Sequence, residues 1–155
     1  IQGARDKGAF PILITPVQRR AFNEDGTLKP THGDYPNAMR KVALEMNVPL
    51  VDITKITTTL YESWGDELSR KAFVQYPANT FPGQKEKLED NTHFNSFGAN
   101  EIALCVMKGL QDLKNPLANY FLKNMPEYNS TNPNAYAKWT LPMSNRFETV
   151  KPDGN

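Results

Sequence analysis

The sequence predicts an α/β fold built on a parallel sheet, and two observations carry this prediction. Two apolar stretches, FPILITPV (10–17) and PLVDIT (49–54), are typical of strands that a parallel sheet buries on both faces. A helical pattern follows each stretch, which gives the strand–helix–strand–helix order of a parallel arrangement. The chain has 155 residues, of which 39% are hydrophobic, enough for one domain with a core.

The N-terminal segment, IQGARDKGA, has no initial methionine and resembles the last turns of a helix that ends near Gly8. We therefore expect further chain to precede it. After the first strand, the polar stretch QRRAFNEDGTLKPTHGD predicts a loop, with a turn signal at Asp25-Gly26.

Apolar residues at helical spacing predict the next helix, over 35–47. Asp34 is its expected N-cap, and Pro36 suits its first turn. The expected core face consists of Tyr35, Ala38, Met39, Val42 and Met46.

A second helical stripe follows the strand at 49–54 and runs to about residue 73. Its members are Ile56, Leu60, Trp64 and Leu68, and Gly65 interrupts it. Residues 74–95 are predicted to form a long loop, and loops of that length are usually functional or disordered.

The third helix is predicted over 96–113, with Ser96 as its cap. Cys105 lies within it, which indicates a buried, inert thiol, and a single cysteine excludes an internal disulfide. The expected core face consists of Ala99, Ile102, Ala103, Val106, Leu110 and Leu113.

The composition changes after residue 113. Residues 114–155 are rich in proline and asparagine, and we interpret them as an irregular extension of a domain that spans 1–113. The segment LANYFLKNM is expected to form a short helix. The rest is either docked by its aromatic residues or partly disordered. Those aromatic residues are Tyr120, Phe121, Tyr128, Tyr136, Trp139 and Phe147.

Only two strands are evident, which is too few to cover a fully apolar strand and pair its edges. We expect the chain to be about half of a sheet domain. The other strands would come from a missing segment or from a second copy of the chain.

The charge balance argues against two classes of partner. The formal net charge is +1, which does not favour broad binding to nucleic acid or to an anionic membrane. No apolar run approaches the ~20 residues that a membrane-spanning helix needs.

The pattern Asp90-x-x-His93 is the strongest candidate for chemistry. The Asp90 carboxylate can fold back to accept the Nδ1–H of His93, which leaves Nε2 free to take a proton from a nucleophile. The pair ends the predicted loop and precedes a strong helix, where the active sites of α/β proteins lie. Taken alone, the spacing also suits a surface histidine that caps a turn.

Around this pair, DNTHFNSFGA resembles the last motif block of the SGNH (GDSL-type) hydrolases. The segment from LITPVQRR to NVPLVDIT resembles the C-terminal half of the rhamnogalacturonan acetylesterases, a branch of the carbohydrate esterases. The resemblance covers roughly residues 1–113.

This resemblance implies a three-layer, flavodoxin-like α/β/α sandwich, to which the chain would contribute the last two strands of a five-stranded parallel sheet. It also implies a secreted or periplasmic enzyme that removes acetyl groups from an acidic pectic polysaccharide by a Ser-His-Asp mechanism. His93 would be the general base and Asp90 its orienting carboxylate. That mechanism needs no metal and no cofactor.

The sequence departs from the family pattern at the nucleophile. It contains no Gly-Asp-Ser block and no Gly-x-Asn-Asp, which would supply the serine and part of the oxyanion hole. None of its five serines is predicted on a sharp strand-to-helix turn. Loss of the nucleophile costs on the order of 10⁶ in kcat, so we expect no activity from this chain alone.

Arg19 and Arg20 follow the first predicted strand at its carboxyl end. An arginine fork matches a carboxylate, so we expect at least one of them to contact an acidic sugar. The alternative is a solvated pair or a salt bridge to Glu24 or Asp25.

Two other functions remain open. The chain could be a non-catalytic carbohydrate-binding or interaction fragment of the same fold. It could also belong to an SGNH esterase or lipase with another substrate, although the hydrophilic loop that carries the arginines favours sugar over lipid.

Overall fold

The computed structural model of the chain describes residues 1–141. The elements in order are α1 (Gln2–Arg5), β1 (Leu13–Ile14), α2 (Tyr35–Glu45), β2 (Leu50–Val51), α3 (Ile53–Ser69), β3 (Phe73–Tyr76), β4 (Leu88–Phe94) and α4 (Ser96–Asp112). Short 3₁₀ turns lie at Arg70–Ala72, Pro116–Tyr120 and Tyr136–Lys138. The α/β class predicted from the sequence is confirmed.

Strands β1 and β2 pair in parallel, with Leu13 opposite Leu50, and α2 connects them. Both strands are shorter than the predicted stretches 10–17 and 49–54. Two prolines without backbone N–H groups flank β1. Strand β2 ends where Asp52 becomes the N-cap of α3 and accepts the N–H of Lys55.

Helix α2 has nearly the predicted bounds, but its predicted core face is wrong. Tyr35 is 78% exposed, whereas Pro36 and Ala43 are buried. The Arg40 guanidinium donates to both oxygens of the Asp52 carboxylate, at 2.8 and 2.9 Å, and this ion pair ties α2 to the end of β2. Asp34 is the N-cap residue as predicted, although its side chain makes no capping hydrogen bond.

Helix α3 is interrupted at Gly65, as its sequence suggested. Gly65 has φ +70° and ψ 175°, a conformation that favours glycine and breaks the helical phase. Leu68 therefore leaves the predicted stripe and is 61% exposed, while Leu60 is fully buried.

The prediction of a loop over 74–95 is wrong. Strands β3 and β4 form an antiparallel hairpin at its two ends. β4 is LEDNTHF and is mostly exposed, so it shows none of the alternation of apolar and polar residues that predicts a strand.

Helix α4 begins and ends close to its predicted bounds, but its cap and core face differ from the prediction. Asn95, not Ser96, caps it by accepting the N–H of Gly98 at 3.0 Å. Two glycines allow close approach to neighbouring backbone and side chains: a Cβ on Gly98 would lie 1.9 Å from the Ala72 carbonyl oxygen, and one on Gly109 would lie 2.4 Å from Val51. The buried residues are Phe97, Gly98, Glu101, Leu104, Cys105, Gly109 and Leu110.

The core lies between α3, α4 and β3, and the segment after α4 contributes to it. Tyr128 is buried in this core, and its hydroxyl donates to the buried carboxylate of Glu101. Tyr136 and Trp139 pack against Phe97. The expected short helix is a 3₁₀ turn, and Ser144 and Phe147 lie outside the described residues.

Candidate active site

The Asp90-x-x-His93 segment lies on a large, irregular bulge of β4. The pair Gln75–Glu89 is followed along the hairpin by the pair Phe73–Phe94. Between these pairs β3 has one residue, whereas β4 has four, residues 90–93. A bulge of this kind turns side chains away from the sheet, and bulges are frequent next to active sites.

The Asp90 side chain closes the bulge into a tight turn. Its Oδ1 accepts the backbone N–H groups of Thr92, at 2.6 Å, and of His93, at 2.8 Å. Its Oδ2 lies 2.6 Å from Nδ1 of the His93 ring. The carboxylate therefore orients both the backbone and the imidazole of His93.

These contacts hold the Asp90 carboxylate in its ionised form. The backbone N–H of His93, the His93 side chain and the backbone N–H of Thr92 lower the pKa of Asp90 to about 2. An ionised carboxylate accepts a proton-bearing Nδ1, so the favoured neutral tautomer of His93 has its lone pair on Nε2.

The ring of His93 is open to solvent. The His93 side chain is 77% exposed, and that of Asp90 is 35% exposed. Within residues 1–141, the ring of His93 makes its hydrogen bond through Nδ1 only. Neither Asp90 nor His93 lines the cavity of about 760 Å³ or the cavity of about 320 Å³ found in residues 1–141.

The two predicted arginines lie in different environments. Arg19 is exposed. Arg20 is 5% exposed, and its guanidinium donates to Ser69, Asp66 and Asn91. Burial lowers the pKa of Arg20, and the neighbouring Asp66 carboxylate opposes this effect. The predicted contact of these arginines with substrate stays a prediction.

Asn91 joins Arg20 to the bulge. Its backbone carbonyl accepts the N–H of Arg20 at 2.9 Å. Its side-chain Oδ1 accepts from Arg20 at 2.8 Å and from Gln75 at 2.7 Å. The sequence does not indicate this contact, because Arg20 and Asn91 are 71 positions apart and neither belongs to a periodic pattern.

In the part of the chain that the structure describes, no serine hydroxyl hydrogen-bonds to the ring of His93. Ser69, for example, is fully buried and accepts the Nε–H of Arg20. Among residues 1–141, no group of three or more histidine, cysteine, aspartate or glutamate side chains is placed to hold a metal ion. Burial raises the pKa of the Cys105 thiol to about 12, in line with the predicted inert cysteine.

Comparisons with known proteins agree with this architecture. Rhamnogalacturonan acetylesterase RhgT of Bacillus subtilis (strain 168) is 43% identical over 119 residues, which cover 77% of this chain and 51% of RhgT. The probable rhamnogalacturonan acetylesterase YesY of the same organism is 37% identical over 123 residues, which cover 79% and 52%. The chain thus spans about half the length of the curated relatives it matches.

A solved structure with a similar backbone supports the fold, but at this level of identity it does not bear on function. The crystal structure of the Bacillus subtilis protein YXIM superposes with a TM-score of 0.60 at 23% identity, over 75% of this chain and 29% of that one. No family model matches the chain.

The parallel βαβ arrangement and the relatives together define an SGNH-type hydrolase fold. Within that class, the chain belongs to the rhamnogalacturonan acetylesterase-like family.

Proposed function

We propose that this chain supplies the general base and its orienting carboxylate to a carbohydrate esterase that removes acetyl groups from rhamnogalacturonan. One observation carries the proposal: an ionised carboxylate holds Nδ1 of a histidine whose ring is otherwise exposed. The names of the relatives support an acetylated pectic polysaccharide as the substrate. A polysaccharide substrate favours a secreted or periplasmic location. None of the helices in residues 1–141 combines the length and apolar character that a bilayer span requires.

In the proposed reaction, Nε2 of His93 takes the proton of a serine hydroxyl as the serine oxygen attacks the acetyl carbonyl carbon. The tetrahedral intermediate collapses, and the sugar oxygen leaves with the proton that His93 returns. Water then attacks the acetyl-serine ester, again with His93 as the base, and acetate is released. Throughout, Asp90 stabilises the imidazolium without taking its proton.

The serine and the oxyanion hole come from outside this sequence in the proposed enzyme. The free edge of β1 suits a partner that completes the sheet, because Ile14 is 44% exposed and nearby Phe10 is 95% exposed. That partner is either a further segment of the same polypeptide or a second copy of the chain.

Arg19 is the better candidate for substrate contact of the two arginines. It adjoins Arg20, whose backbone bonds to Asn91 beside the catalytic pair, and its own side chain is exposed. We propose that Arg19 attracts the carboxylate of a galacturonate unit near the acetylated position.

A chimera tests the proposed function. In it, this chain replaces the matched half of RhgT, whose remaining half we expect to carry the nucleophile. The chimera should release acetate from acetylated rhamnogalacturonan, and the 155-residue chain alone should not. A folded chimera that binds the polymer without releasing acetate would favour the binding-fragment alternative. Release only from short-chain or lipid esters would favour an SGNH esterase with another substrate.

A further inference from the structure

The bulge that carries Asp90 and His93 receives no support from the backbone ladder of its own hairpin. Residues 90–93 have no pairing partner on β3, because the ladder resumes only at Phe94. An unpaired, mostly exposed stretch of four residues is free to move unless other groups hold it. Asp90 fixes the inside of the turn, but other residues must attach the turn to the body of the protein.

Arg20 supplies that attachment through two kinds of contact. Its backbone N–H donates to the carbonyl of Asn91 at 2.9 Å, and its guanidinium donates to the Asn91 side chain at 2.8 Å. Gln75 of β3 donates to the same Asn91 oxygen at 2.7 Å. Asn91 lies directly after Asp90 and two positions before His93, so these contacts act on the middle of the catalytic turn.

Arg20 is itself held rigidly by the end of α3. Nε donates to the Ser69 hydroxyl at 3.0 Å, and a terminal nitrogen donates to the Asp66 carbonyl at 2.7 Å and pairs with the Asp66 carboxylate. The Ser69 hydroxyl in turn donates to the Asp66 carbonyl at 3.0 Å. The guanidinium is a planar fork with five N–H donors, so one side chain can bind α3 and the bulge together.

We propose that Arg20 and Asn91 are positioning residues, which link the end of α3 to the catalytic turn and hold Asp90 against His93. The bearing of this link on catalysis rests on the proposed function. The link itself is a property of the chain and can be measured without any activity.

The test is an NMR titration of the full 155-residue chain, with the Asp90 carboxyl carbon as the reporter. In the unchanged chain the carboxyl should titrate near the depressed pKa of about 2. In Asn91→Ala and in Arg20→Lys, a loosened turn should raise this pKa toward the ordinary aspartate value of about 4. Asn91 is exposed, so Asn91→Ala should fold even if the replacement of buried Arg20 disturbs the core.

Arg70→Gln is the matched control. Arg70 also pairs with the Asp66 carboxylate, at 3.1 Å, but makes no hydrogen bond to β4. The pKa of Asp90 should not change in this variant. Nε2 of His32 lies 2.8 Å from the Val17 carbonyl oxygen in the folded chain. An unchanged NMR signal from the His32 ring therefore shows that a variant is folded. An unchanged pKa of Asp90 in folded Asn91→Ala would overturn the proposal.

A second arm measures catalysis in the RhgT chimera. Asn91→Ala should lower kcat about 10- to 100-fold with little change in KM, because a misplaced base affects the reaction more than substrate binding. A raised KM with unchanged kcat would contradict a positioning role. The chimera could be inactive while the pKa of Asp90 still rises in Asn91→Ala and Arg20→Lys. That result would refute the proposed function and support the Arg20–Asn91 link.

Discussion

The Asp90 carboxylate divides its two oxygens between backbone and side chain. Oδ1 fixes the turn, and Oδ2 fixes the ring of His93. This local arrangement could be predicted from the sequence, because a carboxylate three residues before a histidine needs only one turn to reach it. The contact between Asn91 and Arg20 could not be predicted, because it depends on how α3 and the hairpin pack.

The charge of Asp90 gives the first residue-scale prediction. In the completed enzyme, Asp90→Asn should lower kcat on the order of 10⁴-fold, since an amide can present its N–H to the ring and favour the wrong tautomer of His93. Steady-state kinetics on acetylated rhamnogalacturonan measure this loss.

The control for that prediction is Asp25→Asn. Asp25 closes a similar turn in an exposed loop by accepting the N–H of Thr27 at 2.9 Å, but it has no histidine partner. Its replacement should leave kcat unchanged. Equal losses in both variants would show that turn stability, and not the tautomer of His93, sets the rate.

The pKa of Asp90 also sets a pH dependence. The folded-state pKa, about 2, lies below the ordinary value of about 4, so the carboxylate stabilises the fold fully above pH ~4. This contribution is lost as the pH falls from about 4 through about 2. The difference in unfolding free energy between the unchanged chain and Asp90→Asn should shrink over that range. A difference that stays constant between pH ~2 and ~6 would contradict the lowered pKa of Asp90.

Arg19 gives a prediction about specificity. Arg19→Ala in the chimera should raise KM for acidic polymer about two- to fivefold, the effect expected for one exposed ion pair, and should spare KM for a small neutral acetyl ester. The small ester is the internal control. Equal KM values for the polymer in both proteins would remove Arg19 from the substrate site.

At the scale of elements, close packing positions the first turn of α4. Gly98 lies so near the Ala72 carbonyl that no side chain fits between them. This contact holds the start of α4 against the segment that leads into β3. It also fixes the helix that directly follows the bulge of Asp90 and His93.

Gly98→Ala tests this packing. The added methyl group must displace backbone, so the free energy of unfolding should fall by about 1–3 kcal/mol or more. Gly3→Ala in α1 is the control, because a Cβ there meets nothing within 4 Å. Denaturant unfolding measures both, and equal stability of the two variants would disprove the close contact.

The elements also show where sequence patterns succeed and fail. Periodicity predicted the three longer helices, because amphipathic spacing needs only local sequence. It misassigned the core face of α4, where Glu101 is fully buried and accepts from Tyr128 and Asn134. A glutamate in a helical sequence is normally expected on the surface. The partners that make burial of Glu101 possible lie in a later segment, so the helix pattern alone does not reveal them.

The hydrogen bond from Tyr128 to Glu101 holds the segment after α4 against the core, and its loss should be measurable. Tyr128→Phe removes a buried hydrogen bond to a carboxylate and should lower the free energy of unfolding by about 1–3 kcal/mol. It should also speed proteolysis between α4 and residue 135. Tyr136→Phe, whose half-exposed ring packs on Phe97, should have little effect. Equal protease sensitivity in both variants would contradict a role for the Glu101–Tyr128 bond.

At the scale of the whole molecule, the contact between Asp90 and His93 is well formed, while some large apolar side chains in the first third of the chain are exposed. Phe10 and Leu44 are 95% and 84% exposed. Exposure of this kind is typical of surfaces that another segment or subunit covers. We infer that His93 acts only when such a partner brings a hydroxyl to its Nε2.

The most direct measurement is acetate release by the RhgT chimera with and without His93→Ala. Removal of the base should lower kcat on the order of 10⁶-fold, as loss of the histidine does in serine hydrolases. The matched change His32→Ala should leave release of acetate largely intact. Sustained acetate release by the His93→Ala chimera would contradict the assignment of His93 as the general base.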